Sequence, residues 1–542
     1  APTPSPTSPH CQHRRWPAKK QDDYFMSTRI TIDPMSRVEG HLKIETRVED
    51  GVIAEARVAG LLFRGLEKAL IGYDARVAQH VTQRVCGVCP YAHAEAAALA
   101  LEDAMNFRPN GNGQLLRNLI TGAYMVHDSL LHFYQLSALD FINIEAVLTY
   151  KGADPVLGTV RDWVRAELDS TRIFPGSPFL PRYRSDDQLG DEADSLLLVR
   201  HYFSSFSVLA ELQKMVAIFG GKAPHPVAIA AGGVTTRPTL DLLARYRTML
   251  QRAEDFVTNH YRQDIFRVCR AFPHYFQEGK GYGNLLSFPF LPEADGENHL
   301  FVGGARLAGE LQKLELAAIR EDHTYAFFHQ EADTPLSPLA TKGLQPLNRQ
   351  EFQREEQKEN GKYSWSRAPR YHGEVMEVGA VARIVNTRLH GGNRRLNELV
   401  ERTNRELGLT LADYNSVLGR HLCRYLSTVL IIDRLKRQVD EVKDGELGFE
   451  EREIPRNARG VGITEASRGA LGHWLETDGS GLIKNYEMVV PSTWNFSPRD
   501  AQGKPGAVEQ MLLGTTISNP EQPLEAARIA RSVDPCIACS VH

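Results

Sequence analysis

Long apolar runs are missing from this chain. The longest candidates, such as residues 426–432, fall well short of the roughly 18 consecutive apolar residues of a membrane helix, so no transmembrane segment is expected. A surplus of either charge is missing too. With 63 basic against 67 acidic residues the formal net charge is −4, which gives no electrostatic case for nucleic acid or an anionic membrane surface. Small neutral substrates and protein partners remain open. Cysteine is scarce: seven in 542 residues cannot build a disulfide framework, and thiols that must stay reduced to bind metal fit assembly in a reducing cytoplasm. No internal repeat emerges at any period. What is present in quantity is core, since 42% hydrophobic content suffices for a large globular interior, and length alone allows three or four domains.

Residues 1–25 are rich in Pro, Ser and Thr, carry His13-Arg14-Arg15 and Lys19-Lys20, and show almost no apolar periodicity. They read as a disordered extension. No apolar h-region follows Arg14-Arg15, so a twin-arginine export reading fails, and Cys11 reads as a bystander. Residues 41–48 alternate, Asp50-Gly51 is a two-residue turn signal, and residues 52–58 run back, which predicts an antiparallel hairpin. Helical spacing predicts helices over 93–105, 114–140, 197–219, 239–271 and 413–442, the third stopped by Gly220-Gly221. Residues 279–346 read as short strands and long loops. Residues 342–370 are the most polar internal stretch and are expected at the surface or against a partner. Cys269 and Cys423, unpaired in the sequence, and His132 are expected to be inert core residues.

The remaining four cysteines fall into two pairs. Arg84-Val85-Cys86-Gly87-Val88-Cys89 and Asp534-Pro535-Cys536-Ile537-Ala538-Cys539-Ser540-Val541-His542 place two Cys-x-x-Cys motifs about 450 residues apart. Such pairs read as a metal or redox site, and spacing alone leaves structural zinc open. Both ends of the fold must meet there.

The residues around these pairs narrow the choice. Arg-Val-Cys-Gly-Val-Cys with His93 four residues on, and Asp-Pro-Cys-x-x-Cys-x-x-His at the end, closely resemble the motifs of the large subunit of nickel-iron hydrogenases. Ser36-Arg37-Val38-Glu39-Gly40-His41, Phe63-Arg64-Gly65-Leu66-Glu67, Glu465-Ala466-Ser467-Arg468-Gly469 and Val489-Val490-Pro491-Ser492 resemble further stretches of that family, in order. The resemblance covers the chain from about residue 30 to the end. It implies a mainly helical fold with a central bundle of long helices and peripheral antiparallel strands. Residues 26–542 then form a single large catalytic domain in which both Cys-x-x-Cys motifs meet at a buried metal centre.

The resemblance also implies roles. Cys86 and Cys536 would be terminal nickel ligands, and Cys89 and Cys539 would bridge nickel to an iron carrying carbon monoxide and two cyanides. Thiolates are soft donors that suit both metals. Pro491 and Ser492 would cradle the diatomic ligands, His93 would hydrogen-bond the bridging thiolate, and Asp128 would be an outer carboxylate, with His225 a further outer candidate. Splitting dihydrogen needs a Lewis acid and a nearby base. That base would be the Cys536 thiolate, with Arg468 above the open metal position and Glu39 receiving the proton. Guanidinium is a difficult base because its pKa lies above about 12. Glu67, His542 and the main-chain carbonyl of Met488 would hold a magnesium or similar divalent ion. Ser467 departs from the proline usual before the arginine, which bears on the pocket's fine geometry. The chain's end at His542 matches the processed form of the family.

No further cysteine cluster remains for iron-sulfur centres, so electrons must leave through a partner. The expected assembly is a heterodimer with a small iron-sulfur subunit, feeding a downstream electron acceptor. The expected location is periplasmic, through the partner's export signal and with membrane association through partner subunits; the alternative is cytoplasmic. The expected activity is reversible oxidation of dihydrogen to protons and electrons. The rival reading is a hydrogen-sensing subunit, against which Val88 and Leu136 match the smaller gas-tunnel pair of catalytic relatives. A quinone-linked proton-pump module shares the fold but lacks the four thiols.

Overall fold

The structure is a computed structural model and describes residues 27–170, 187–329, 335–358 and 360–542. The expected disordered extension and Cys11 lie outside the described residues. Three strands open the fold: β1 (Thr28–Ile32), β2 (Leu42–Glu49) and β3 (Val52–Gly60), antiparallel in that order. Leu42, Ile44, Thr46 and Val48 face inward along β2, the alternation a half-buried strand requires. The turn is at Asp50-Gly51, with φ of 50° and 79°, the left-handed pair that matches strand twist in a two-residue hairpin.

The centre is helical. Helix α1 (Pro90–Ala104) starts one residue beyond Cys89, and α2 (Gly111–Leu131) is buried over almost its whole length. Around α2 pack α3 (Glu192–Gly220) and α5 (Val417–Glu441), and α4 (Leu240–Phe256) packs against both of these. Helix α2 passes beyond Leu131 into a wider π-type turn, His132–Ser137, and α4 does the same at Val257–Tyr261 before Arg262–Ala271 completes the expected span. Helix α5 begins four residues later than residue 413. Asp413 instead accepts the Thr410 N–H in a capping box of its own, and the Ser416 side chain caps α5 through Gly419 N–H at 3.1 Å. Among the described residues, no helix is long and apolar enough to cross a membrane.

A second antiparallel sheet, β4 (Arg459–Ala466), β5 (Gly469–Thr477) and β6 (Ile483–Val489), lies against α1. The contact is close because both sides are small. Helix α1 presents Ala96 and Ala100, and a Cβ added at Gly462 or Gly460 would fall 2.0 Å from their carbonyl oxygens. Any side chain on those glycines would push the sheet off the helix. The same packing fixes Cys89, at the N-terminal end of α1, relative to the β4–β5 turn that carries Ser467 and Arg468.

The final helix α6 (Leu524–Val533) ends at Asp534 in a left-handed conformation, φ 67°, and the chain enters the interior as one turn, Ile537–Ser540. Arg531 of α6 and Arg37 both pair with buried Asp140, tying the Glu39 loop and the last helix to the same carboxylate. The polar stretch 342–370 corrects an expectation. Its last residues are interior: Ser364, Ser366, Arg367 and Arg370 are buried, and Ala368–Tyr371 is a strand paired to Ile319–Asp322. Ion pairing explains it, because both arginines find buried carboxylates.

Candidate metal centre

Main-chain contacts bring the two termini of the fold together. Glu39 N–H donates to Pro535 O at 3.3 Å and Ile537 N–H to Glu39 O at 2.8 Å. Gly40 makes the approach possible: its φ is 81°, and a Cβ there would sit 2.5 Å from Ala538 N. Arg64 then clamps both Cys-x-x-Cys segments, donating to Val85 O at 2.6 Å and Ala538 O at 2.8 Å.

The result is a compact cluster of four buried sulfurs. Cys86–Cys536 is 3.2 Å, Cys536–Cys539 2.9 Å, Cys89–Cys539 3.4 Å and Cys89–Cys536 3.9 Å, and all four ligand atoms lie within 4.8 Å of one another. All four are free thiols at 1–3% exposure. Burial, and then the neighbouring sulfurs, push Cys536 well above the ordinary thiol range. Four buried thiols this close cannot all ionise unless a cation sits among them, and a soft sulfur set suits nickel and iron. The residues present fit such a centre. Among the described residues this is the one group of three or more His, Cys, Asp or Glu side chains disposed to hold a metal ion.

Around the sulfurs lie the other residues singled out in the sequence. The Cys536 thiol donates to Glu39 Oε2 at 3.1 Å, Ala538 N–H donates to the same oxygen at 3.1 Å, and burial pushes the Glu39 carboxyl up to about 7. His93 Nε2 is 3.6 Å from Cys539 Sγ, and burial pushes its imidazole down to about 4. Ser492 Oγ accepts the Cys536 N–H at 2.9 Å, and Pro491 opens the buried turn that carries it. Arg468 donates from Nη2 to Asp534 Oδ1 at 3.0 Å, while its Nη1 is 3.7 Å from Asp128 Oδ2. His225 is half-buried beside the Gln83 main chain. Val88 and Leu136 are both half-buried, Leu136 giving its carbonyl to Arg37.

A second cluster sits behind the first. His542 donates Nδ1–H to Cys539 O at 2.5 Å, which leaves Nε2 as an acceptor, 2.9 Å from Glu67 Oε1. Arg367 Nη2 lies 2.8 Å from that nitrogen, 2.8 Å from Glu67 Oε1 and 3.2 Å from Met488 O. Burial would raise the Glu67 carboxyl, but the Arg367 guanidinium holds it well below the usual range. Two acceptors about 2.9 Å apart match neighbouring ligands of an octahedral ion bound at ~2.1 Å. The three donors therefore fit a small divalent cation, on condition that the guanidinium yields their common focus.

Sequence reasoning missed several of these residues. Arg367 fell in a stretch expected at the surface or against a partner, and Glu321, whose carboxylate lies 3.3 Å from Arg367 Nη1, in one read as short strands and long loops. His473 and Tyr486, on β5 and β6, complete a relay: Tyr486 O–H to His473 Nδ1 at 2.7 Å, His473 Nε2–H to His93 Nδ1 at 3.1 Å, and His93 Nε2–H toward Cys539 sulfur. That chain of donors fixes the imidazole that faces the thiolate. A histidine within a strand gave no signal for it.

Fold and sulfur cluster together fit a thiolate-bound metal centre, and comparison with known proteins names the class. The family described as nickel-dependent hydrogenase matches residues 64–542, and a HoxL-like model matches residues 29–59. The chain belongs to the nickel-dependent hydrogenase family. It is 33% identical to the hydrogenase-2 large chain of Escherichia coli strain K12, over 95% of this chain and 97% of that one. Identity to the periplasmic [NiFeSe] hydrogenase large subunit of Desulfomicrobium baculatum is also 33%, over 95% of each. The solved Ni-Fe-Se hydrogenase of D. vulgaris Hildenborough, in its as-isolated oxidised state, superposes with a TM-score of 0.83 at 32% identity, covering 95% of this chain and all of that one. This is a hydrogenase large subunit, an oxidoreductase acting on dihydrogen at a nickel-iron centre.

Proposed function

We propose that the chain oxidises dihydrogen reversibly to protons and electrons, and that the electrons leave through a small iron-sulfur subunit to a downstream acceptor. The convergence of four buried thiols from opposite ends of the chain carries this reading. Cys86 and Cys536 would hold nickel, Cys89 and Cys539 would be shared between nickel and iron, and Pro491 and Ser492 would border carbon monoxide and two cyanides on iron. When bound, the metals supply the Lewis acidity toward dihydrogen that no side chain offers.

The chain's own groups manage the proton. Cys536 sulfur is the nearest base, and Glu39 Oε2, 3.1 Å away, is the acceptor already in line. A carboxyl lifted to about 7 takes up and releases a proton near neutrality, the condition for efficient general acid-base transfer. Arg468, raised further above its ordinary range by Asp534 and Cys536 in spite of burial, stays charged, so it orients and stabilises rather than accepts a proton. The relay from Tyr486 through His473 to His93 holds one donor on Cys539.

The partner would dock on the stretch leading from β3 toward Cys86. Leu62 is 67% exposed, and Ile71, Tyr73 and Leu482 are exposed on two segments joined by Gly72 N–H to Ile483 O and Ile483 N–H to Tyr73 O. The adjoining apolar side chains of those two segments suit a surface that another chain covers. With a relative named periplasmic, export together with that partner is the reading adopted for location. An infrared spectrum of the purified protein tests the centre: metal-bound carbonyl and cyanide stretches are expected, and their absence from a fully metallated sample would overturn the reading.

Glu67, the Met488 carbonyl and His542 would hold a magnesium-type ion beside Arg367. Arg367→Met leaves Glu67, Glu321 and Glu487 in the interior without their guanidinium. Breaking such a buried pair costs about 3–5 kcal/mol. The expected result is a denaturation midpoint lowered accordingly in metal-free buffer and largely restored by millimolar magnesium. A variant indifferent to magnesium would show that no ion takes that position.

A further inference from the structure

Ser467 is buried at the turn between β4 and β5, where both its hydroxyl and its main-chain N–H are engaged. Its N–H donates to Tyr91 Oη at 3.1 Å, Tyr91 Oη lies 2.8 Å from Ser467 Oγ, and Ser467 Oγ donates to Asp128 Oδ2 at 2.6 Å. With Ser467 O–H directed to Asp128 at the shorter distance, Ser467 Oγ accepts from Tyr91 O–H, whose other acceptor is the Met125 sulfur at 3.8 Å. Asp128 Oδ1 meets His127 Nδ1 at 3.1 Å. Each oxygen of Asp128 thus has a hydrogen-bond donor, and Arg468 is its ion-pair neighbour at 3.7 Å rather than one of those donors.

The arginine shows the consequence. A carboxylate beside a buried guanidinium ordinarily forms short, often paired hydrogen bonds. Here Nη1 stops 3.7 Å from Asp128 Oδ2, the oxygen taken by Ser467, and among the described residues Nη1 and Nε have no hydrogen-bond partner although both are buried. Among the described residues, the one side-chain acceptor of Arg468 is Asp534. Asp534, which holds Nη2, lies two residues before Cys536, so the guanidinium is tied to the C-terminal thiol segment and carries its two unpaired donors there.

We propose that Ser467 is a positioning residue for Arg468: by occupying Asp128 it keeps that carboxylate from capturing the guanidinium, so that Nη1 and Nε remain available to a small ligand at the sulfur cluster. The proposal rests on the dihydrogen reading above. Proline, which the resemblance leads one to expect here, has neither a hydroxyl for Asp128 nor an N–H for Tyr91, so this chain reaches its arrangement by contacts proline cannot make.

Turnover in fully metallated holoenzyme tests it. In Ser467→Ala, Asp128 is free to close on Arg468, and kcat for dihydrogen is expected to fall about tenfold with KM unchanged, the size of effect that one misdirected charged hydrogen bond produces. Ser467→Thr keeps the hydroxyl and is expected within about twofold of wild type. In an Asp128→Asn background, where no carboxylate can compete, Ser467→Ala is expected to change nothing further. Unchanged kcat in Ser467→Ala, an equal loss in Ser467→Thr, or full additivity with Asp128→Asn would each overturn the proposal. Carbonyl and cyanide bands in each sample separate this from failure of the metal reading. If the alanine variant does not take up metal, a crystal structure of the wild-type holoenzyme decides: Asp128 bonded to Ser467 and apart from Arg468 supports the proposal, and a paired Asp128–Arg468 contact overturns it.

Discussion

Replacing Cys539 by serine is expected to abolish dihydrogen turnover and to leave the purified chain without its nickel. Cys539 is 2.9 Å from Cys536 and 3.4 Å from Cys89, and it is the sulfur that His93 faces. Serine keeps nearly the same shape but offers a hard oxygen with a far weaker tendency to ionise, poorly matched to a soft metal pair. Packing around the substitution hardly changes, so the chain should fold and the loss should appear as metal content. Cys423→Ser is the control. Cys423 is fully buried, and burial pushes its thiol above the range in which it would ionise, the mark of an inert core sulfur. That variant should keep nickel, iron and turnover at a modest stability cost of about 1–3 kcal/mol for a buried hydroxyl. Nickel and iron per chain, with hydrogen uptake on the same samples, decide the matter. Stoichiometric nickel with active Cys539→Ser would remove that sulfur from the centre.

The contrast between these two cysteines shows how far the sequence could be read. Cys423 and Cys539 differ in the sequence by their neighbours: one lies alone in a helix, the other in Cys-x-x-Cys with a matching pair about 450 residues away. Pairing and flanking motif were visible in the one-dimensional chain, as was the Asp50-Gly51 hairpin, because each is set by residues adjacent in sequence. The long helices were visible for the same reason, through the spacing of their apolar residues. Arg367 was not. Its partners Glu67, Glu487 and His542 lie 300, 120 and 175 residues away, and a buried arginine has the same letter as a solvated one. The start of α5 was misplaced because Asp413 and Ser416 both cap, and only the three-dimensional path shows which of them begins the long helix. The His473–Tyr486 relay was likewise hidden, since strand register alone decides which two side chains meet behind His93.

Glu39→Gln is expected to stop turnover without emptying the centre. The carboxylate accepts from Cys536 Sγ and from Ala538 N–H, both at 3.1 Å and both through Oε2. Glutamine retains the size, and its carbonyl oxygen can still accept the Ala538 N–H, so a role limited to holding the C-terminal turn would survive the change. A relay would not. The amide neither gains nor loses a proton near neutral pH, whereas the Glu39 carboxyl, pushed up to about 7 chiefly by burial, does both. General acid-base groups contribute about a hundred- to ten-thousand-fold in rate, and a loss of that order is expected in dihydrogen turnover and in proton exchange. Nickel, iron and the infrared bands should match wild type, since Glu39 touches Cys536 from the side of the Ala538 turn and supplies no metal ligand. A fully metallated Glu39→Gln protein with near wild-type turnover would show that the proton leaves Cys536 by another route, with Glu39 serving only to seat the last seven residues of the chain.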